Sequence, residues 1–259
     1  MKRTSHNNVG QHGAVGREMR RVLLIYTGGT IGMGRNPVTG ALEPLDFRHL
    51  MDNLYEFRSL NVIVDTYSFP DPIAASNMDP QHWARLARIV ADRYEAYDGF
   101  VILHGTDTMA YTSSALSFML RNITKPVILT GSQLPIGQPR TDAKENLLTS
   151  IELAAACDQE GHARVPEVCI YFNGHLLRGN RATKQNAEGF NAFESFNYPH
   201  LCDAGVSFTF RTHHILTPDR HLPLSLQTQM NPHVVVFSLF PGIQACIVKH
   251  VLSAPELKG

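Results

Sequence analysis

The sequence predicts an open, mainly parallel α/β sheet with helices on both of its faces. Three observations carry this reading. Short apolar runs such as Val22–Ile25 and Val101–Leu103 alternate with stretches of ten or more residues patterned at helical spacing, the signature of βαβ units. The strand-like runs are apolar almost without interruption, as they must be when helices cover both sides of a parallel sheet. Several of them also close on glycine, at Gly28-Gly29, Gly105 and Gly131, where a strand can turn sharply into a loop.

In order along the chain, Val22–Tyr26 is the first strand and Val62–Phe69 the second. Asp79-Pro80 then opens a helix. Asp79 is a suitable N-cap and Pro80 suits the first turn. Trp83, Leu86, Ala87, Val90, Ala91 and Tyr94 recur on one face of it. Phe100–Leu103 is a strand, Met109–Leu120 a largely buried helix, and Pro126–Leu129 a strand that ends at Gly131. Asp142–Ala156 is a helix with Leu147, Leu148, Ile151 and Leu153 facing inward, and Val168–Phe172 is a strand. His200–Asn231 is polar and poorly patterned, with Pro199, Pro218 and Pro223 nearby, and reads as a linker or edge region. A domain boundary is expected near residue 215. Val234–Phe240 reads as a further strand, followed by a helical pattern over Ile243–Leu252.

The chain has 259 residues, generous for one α/β domain and short for two. Its 23 Lys and Arg balance 23 Asp and Glu, which argues against a whole-protein electrostatic grip on nucleic acid or an anionic membrane. Apolar residues at 43% and charged residues at 18% place it among globular chains. No apolar run approaches the roughly 20 residues of a membrane helix. Residues 1–20 form a polar tail, expected to be disordered and lacking the apolar stretch of a secretory signal. Cys157, Cys169, Cys202 and Cys246 are scattered, which points to free thiols in a reducing cytoplasm. None of the thirteen histidines falls in a spacing such as H-E-x-x-H, so surface or loop histidines are expected rather than a metal centre.

Ligands of open α/β sheets bind at the carboxyl ends of strands, so the residues that end strands are the ones to inspect. Two ends stand out: Thr27-Gly28-Gly29-Thr30-Ile31-Gly32 and His104-Gly105-Thr106-Asp107-Thr108. Each places a threonine directly after glycine, where a hydroxyl would be presented at the sheet edge and a ligand could approach closely. The first is neither a P-loop nor a dinucleotide fingerprint, because no Gly-Lys-Ser/Thr follows and the glycines fall in the wrong order. No G-x-S-x-G elbow is present. A hydroxyl nucleophile needs a general base. Lys184, in Arg178-Gly179-Asn180-Arg181-Ala182-Thr183-Lys184, is a candidate, provided that its surroundings let it give up a proton. A Gly-Gly-Thr turn taken alone is more often structural than catalytic; two such turns at neighbouring strand ends favour chemistry.

At these residues the sequence resembles the asparaginase/glutaminase family, in its cytoplasmic type I branch. The resemblance rests on Tyr26 to Met33, Gly99 to Ala110, Pro126 to Asn146 with Leu129-Thr130-Gly131-Ser132-Gln133 and Asp142, and Arg178 to Lys184. It implies that Thr30 is the nucleophile toward the side-chain amide of L-asparagine. It implies that Thr106, Asp107 and Lys184 move protons, and that Thr106, Asp107 and Ser132 contact the substrate. Asp107 would bind its α-amino group, and backbone N–H groups at the strand ends would hold the oxyanion. No metal or organic cofactor is implied, and the substrate is a small molecule rather than nucleic acid or membrane.

The resemblance also implies a catalytic N-terminal domain over 21–215, a linker over 216–232, and a smaller α/β domain represented by its first βα unit over 233–259. That domain completes the neighbouring subunit's site in the family, hence a homodimer or dimer of dimers once it is whole. A lone βα unit is expected to leave Phe237, Phe240 and Ile247 under-covered. Two positions depart from the family pattern. Ala75 stands where a serine is expected to bind the substrate carboxylate, with Ser76 beside it. Ala41 and Leu42 occupy the area where many members carry a lid tyrosine, just after a Gly32–Gly40 loop expected to be mobile. Ala75 and the incomplete second domain together motivate the alternative reading, a truncated or degenerate homologue that keeps the fold with little or no turnover. A tRNA-dependent amidotransferase subunit is a further relative, set apart by the extra N-terminal domain it carries.

Overall fold

The strand Arg20–Tyr26 forms the spine of the molecule, because Val22, Leu23, Leu24, Ile25 and Tyr26 are apolar on both faces and all are buried. The structure is a computed structural model that describes residues 19–35, 39–40, 42–44 and 59–258. The expected N-terminal tail lies outside the described residues except at its end. In chain order the elements are β1 Arg20–Tyr26, β2 Met33–Arg35, β3 Leu42–Pro44, β4 Val62–Ser68, α1 Pro80–Asp92, β5 Gly99–Leu103, α2 Met109–Met119, β6 Leu120–Arg121 and β7 Val127–Thr130. There follow α3 Ala143–Ala155, β8 Val168–Phe172, β9 His175–Arg178, β10 Thr183–Lys184, β11 Phe193–Glu194, β12 Cys202–Ala204, β13 Phe208–Phe210, β14 Ser225–Leu226 and α4 Ala245–Leu252.

Eight strands form one sheet in the order β13-β12-β9-β8-β7-β5-β1-β4. From β4 to β8 the pairs are parallel, while β9, β12 and β13 add an antiparallel edge. The side-chain period of two divides the sheet's residues between two cores. Leu23, Ile25, Phe100, Ile102, Leu129 and Ile170 pack on the face covered by α1 and α2. Val22, Leu24, Val101, Leu103, Ile128 and Tyr171 pack on the face covered by α3, through Leu147, Ile151 and Ala154. The doubly wound architecture is therefore as the sequence predicts.

The structure adds to and corrects the elements read from sequence. The turn between β8 and β9 is Asn173-Gly174, with φ of 48° and 83°. Asn-Gly with positive φ at both positions is the preferred two-residue hairpin turn, and it explains why the chain reverses here. The edge strands β12 and β13 lie inside the segment read as a linker or edge region, which resolves that part of it as sheet edge. Leu201 and Cys202 anchor them in the core. In α1 the buried face is Ala84, Leu86, Ala87, Ile89 and Val90, rotated from the expected one. Trp83 and Ala91 are only half-buried, and Trp83 reaches across to Thr112 of α2. The expected strand Val234–Phe240 is not formed. Among the described residues no strand lies beside it to take its ladder hydrogen bonds, and Val236 is 94% exposed. The helix after it forms over Ala245–Leu252, with Phe240 and Ile247 exposed and Phe237 partly covered.

One buried ion pair ties the sheet to the chain that leaves it. Glu167 is 3% exposed and accepts from Arg178 Nε at 2.6 Å and Nη2 at 2.9 Å. It also accepts from the Leu216 backbone N–H at 2.6 Å. Burial opposes the Arg178 charge, and the Glu167 hydrogen bonds and charge overcome it, so its pKa rises above the usual arginine value.

Candidate active site

The site lies where the chain changes direction across the sheet. From β1 the chain crosses to β4 on one side and then returns to β5 on the other. The loops at the carboxyl ends of β1 and β5 therefore diverge and leave a crevice, the usual ligand position of such sheets. Thr27 staples the two ends together: its N–H and its hydroxyl both donate to the Leu103 carbonyl, at 3.1 and 2.9 Å. Beyond it Gly28 and Gly29 take φ of 134° and 91°. Gly29 faces the second turn so closely that a Cβ there would lie 2.6 Å from Gly105 N and 2.7 Å from Gly105 Cα. Thr30 follows, half-buried, as the first residue of a 3-10 turn over Thr30–Gly32. The two glycine-threonine turns thus meet backbone to backbone, which places Thr30 beside the turn that carries Thr106.

Lys184 reaches the same crevice from the β10–β11 ribbon, whose register sets Lys184 opposite Phe193 and Thr183 opposite Glu194. Phe193 is buried and stands 5.2 Å from the Phe172 ring centroid, which seats the ribbon on the core. Lys184 Nζ donates to Thr106 Oγ1 at 2.8 Å and to Asp107 Oδ1 at 2.7 Å. The lysine side chain is 16% exposed and the Asp107 side chain 72%. The carboxylate is therefore open to a ligand while the ammonium is largely covered.

The frame behind these groups is polar and densely bonded. Thr106 Oγ1 lies 3.4 Å from Gln133 Oε1. Gln133 Nε2 donates to the carbonyls of Ala187 and Gly189, at 3.0 Å each. Asp142 accepts from the backbone N–H groups of Gln133 and Leu134 and from Asn146 Nδ2. One glutamine thus links Thr106 to the loop that follows Lys184. The sequence pattern places Gln133 in a motif but does not single it out.

His104, Thr112 and Trp83 form a second support. His104 is completely buried, with Nδ1 2.7 Å from the Gly105 carbonyl and Nε2 2.9 Å from Thr112 Oγ1. Trp83 Nε1–H donates to the same Oγ1 at 2.9 Å. Because the Gly105 carbonyl can only accept, the neutral ring donates from Nδ1, so Nε2 accepts the Thr112 hydroxyl proton while the Thr112 oxygen accepts from the indole. The imidazole then carries its own proton on Nδ1, for Gly105. Burial strongly disfavours the charged imidazole, and the bond to Gly105 only partly offsets this, so the His104 pKa falls to about 4. The ring is neutral at pH 7 and holds the carbonyl that precedes Thr106.

The remaining residues named from sequence sit at the rim. Ala75 begins a short 3-10 turn over Ala75–Asn77 and abuts the second glycine turn: a Cβ on Gly105 would lie 2.6 Å from Ala75 Cβ. Its carbonyl accepts from Thr108 Oγ1 at 2.8 Å. Ser76 is exposed. Ser132 is buried, and its hydroxyl donates to the Leu134 carbonyl at 2.6 Å. The hairpin β2–β3 brackets the area of the expected lid. Residues 36–38 and Ala41 lie outside the described residues, and Leu42 is placed only as a strand position.

Comparison with known proteins follows the same geometry. The family described as "Asparaginase, N-terminal" matches residues 21–216. L-asparaginase 1 of Escherichia coli strain K12 is 39% identical over 244 residues, covering 92% of this chain and 69% of its own length. The 60 kDa lysophospholipase of Mus musculus is 37% identical, over 95% of this chain and 46% of its own. Among solved structures, L-asparaginase I from Vibrio cholerae superposes with a TM-score of 0.81 at 35% identity, covering 92% of this chain and 70% of that one. The thermostable L-asparaginase from Thermococcus kodakarensis superposes with a TM-score of 0.77 at 33% identity, covering 89% of this chain and 67% of that one.

Proposed function

The chain belongs to the asparaginase family, and from that premise we propose that it hydrolyses the side-chain amide of L-asparagine to L-aspartate and ammonia. Thr30 Oγ attacks the amide carbon and its hydroxyl proton passes to a base. The C–N bond then breaks, and the leaving nitrogen takes up a proton and departs as ammonia. Water attacks the resulting aspartyl ester, releases aspartate and restores the Thr30 hydroxyl. Thr106, Lys184 and Asp107 form the relay that moves these protons. The observation that carries this reading is the triad itself, with Lys184 Nζ 2.8 Å from one hydroxyl and 2.7 Å from one carboxylate beside the Thr30 turn.

Asp107 combines two roles. Its largely exposed carboxylate suits the substrate's α-ammonium group, while one oxygen keeps Lys184 aligned. The substrate carboxylate falls to the Ala75-Ser76 side, and Ser132, whose hydroxyl is taken by the Leu134 carbonyl, is assigned a substrate contact through the chain around it. Backbone N–H groups at the β1 and β5 ends supply the oxyanion donors. The catalytic domain is assigned to 21–215, and a homodimer or dimer of dimers is the assembly to test by light scattering. The free state of all four cysteines agrees with a reducing cytoplasm, and no helix among the described residues is long and apolar enough to cross a membrane.

A second reading has one observation behind it. Ala75 lacks the hydroxyl expected to bind the substrate carboxylate, and losing a hydrogen bond to a charged group costs about 1.5–3 kcal/mol. Binding without turnover is the corresponding outcome. Ammonia release from asparagine by the purified chain separates the two readings: release supports hydrolysis, whereas calorimetric binding of aspartate with no release supports the second.

A further inference from the structure

We propose that His175, His200 and Asp203 form a binding site for a divalent transition metal of the zinc type, apart from the site of amide hydrolysis. The fold assembles the three residues from two paired strands and the segment that leads into one of them. His175 and Asp203 are direct register partners across β9 and β12, and His200 lies three residues before Asp203. Both imidazoles present Nδ1 to one carboxylate oxygen: His175 Nδ1 lies 2.9 Å and His200 Nδ1 3.1 Å from Asp203 Oδ1. The rings lie side by side, with centroids 4.2 Å apart. One ligand atom from each residue is within 4.8 Å of the other two. In a tetrahedral zinc site with bonds near 2.0–2.1 Å, neighbouring ligand atoms stand about 3.3 Å apart. The two nitrogen–oxygen spacings, 2.9 and 3.1 Å, lie close to that value, and the third spacing is no more than 4.8 Å.

The surroundings are those a metal site needs. His200 Nε2 faces Glu194 Oε1 at 3.0 Å, so the nitrogen away from the metal has a carboxylate to orient it, the usual support of a ligating histidine. Arg211 Nη2 holds the other Asp203 oxygen, Oδ2, at 2.6 Å and leaves Oδ1 aimed at the two rings. Two carboxylates against one guanidinium leave the cluster's fixed charge suited to a cation. Imidazole ligands favour zinc, nickel, copper or iron over magnesium and calcium. Three protein ligands leave a fourth position for water, and the side chains are 44%, 21% and 31% exposed, which gives an ion a path in. Glu194 pairs with Thr183 in the ribbon that also carries Lys184, so the metal would brace that ribbon from its outer side.

The test is calorimetric titration of the full chain, without a polyhistidine tag, with Zn²⁺. The expected result is one saturable Zn²⁺ per chain. H175Q, H200Q and D203N should each weaken it at least tenfold, and E194Q by about tenfold to a hundredfold. The other acidic-histidine trio, Asp158, Glu160 and His162, serves as the control, and H162Q should leave the affinity unchanged. A second measurement needs no variant: Zn²⁺ should protect His175 and His200 from diethylpyrocarbonate, read by peptide mass. The proposal is overturned by absence of saturable binding, by binding that survives the H175Q/H200Q double variant, or by equal modification of both histidines with and without Zn²⁺.

Discussion

Lowering the pH from 7 to 4 should destabilise this protein through one buried histidine. His104 is completely buried and its pKa is lowered from 6.5 to about 4. Burial disfavours the imidazolium, whereas an unfolded chain protonates it freely at its ordinary value. Above pH 6.5 both states hold the neutral ring and the native state keeps its full advantage. Between 6.5 and about 4 the unfolded state binds the extra proton, so stability falls as pH falls; below about 4 the loss from this group is complete. At about 1.4 kcal/mol for each pH unit, the interval amounts to about 3 kcal/mol, a large part of the 5–15 kcal/mol typical of a domain. Urea unfolding at a series of pH values measures it. His104→Asn is the reference, because its amide can still donate to the Gly105 carbonyl but does not titrate. Asp203, Glu194, Asp79 and Asp158, whose pKa values lie below the ordinary range, titrate in both proteins and cancel in the difference. Wild type should lose about 3 kcal/mol more than the variant over this interval. Parallel pH profiles for the two proteins would refute the assignment of a neutral, desolvated imidazole.

Three further outcomes follow from the same contacts. Thr112→Val keeps the volume but strands the Trp83 indole N–H and His104 Nε2, and each buried orphan costs about 1–3 kcal/mol. Urea unfolding should show a loss of about 1–3 kcal/mol while Thr112→Ser stays near wild type, and wild-type stability in the valine variant would contradict the Trp83–Thr112–His104 hydrogen bonds. Glu167→Ala leaves the Arg178 guanidinium buried without its partner, and equilibrium unfolding should show a loss of about 3–5 kcal/mol; a change under 1 kcal/mol would contradict the ion pair's role. Ala75→Ser restores a hydroxyl at the substrate-carboxylate side and should tighten aspartate binding by about tenfold in calorimetry, whereas unchanged or weaker binding would remove Ala75 from that role.

The parallel half of the sheet is legible from sequence because its strands are buried on both faces. Uninterrupted runs such as Val22 to Ile25 and Phe100 to Leu103 have one stable environment, and Asp79 and Pro80 mark a helix start by local chemistry alone: the Asp79 carboxylate accepts from the His82 N–H at 2.9 Å. The antiparallel edge and the β10–β11 ribbon are harder to read. β10 to β13 are two or three residues each, too short to display a period, and their residues are set by pairing partners distant in sequence. Asn173-Gly174 was the available signal for β9. Val234–Phe240 shows the converse: apolar, β-prone residues specify a strand only where a neighbouring strand takes up their hydrogen bonds. The same distinction runs through the site. Thr30, Thr106 and Asp107 follow strand-end glycines and stand out in the chain. Trp83, Thr112 and the His175–His200–Asp203 cluster come together only in three dimensions, and no spacing announces them.

The central claim is that Thr30 opens the amide bond with help from Thr106, Asp107 and Lys184. Steady-state ammonia release from L-asparagine, measured for the wild-type chain and for Thr30→Ala, tests it most directly. The account predicts release by the wild type that falls to background in the variant, with the variant's unfolding curve unchanged. Ammonia release that persists in a folded Thr30→Ala protein would contradict it.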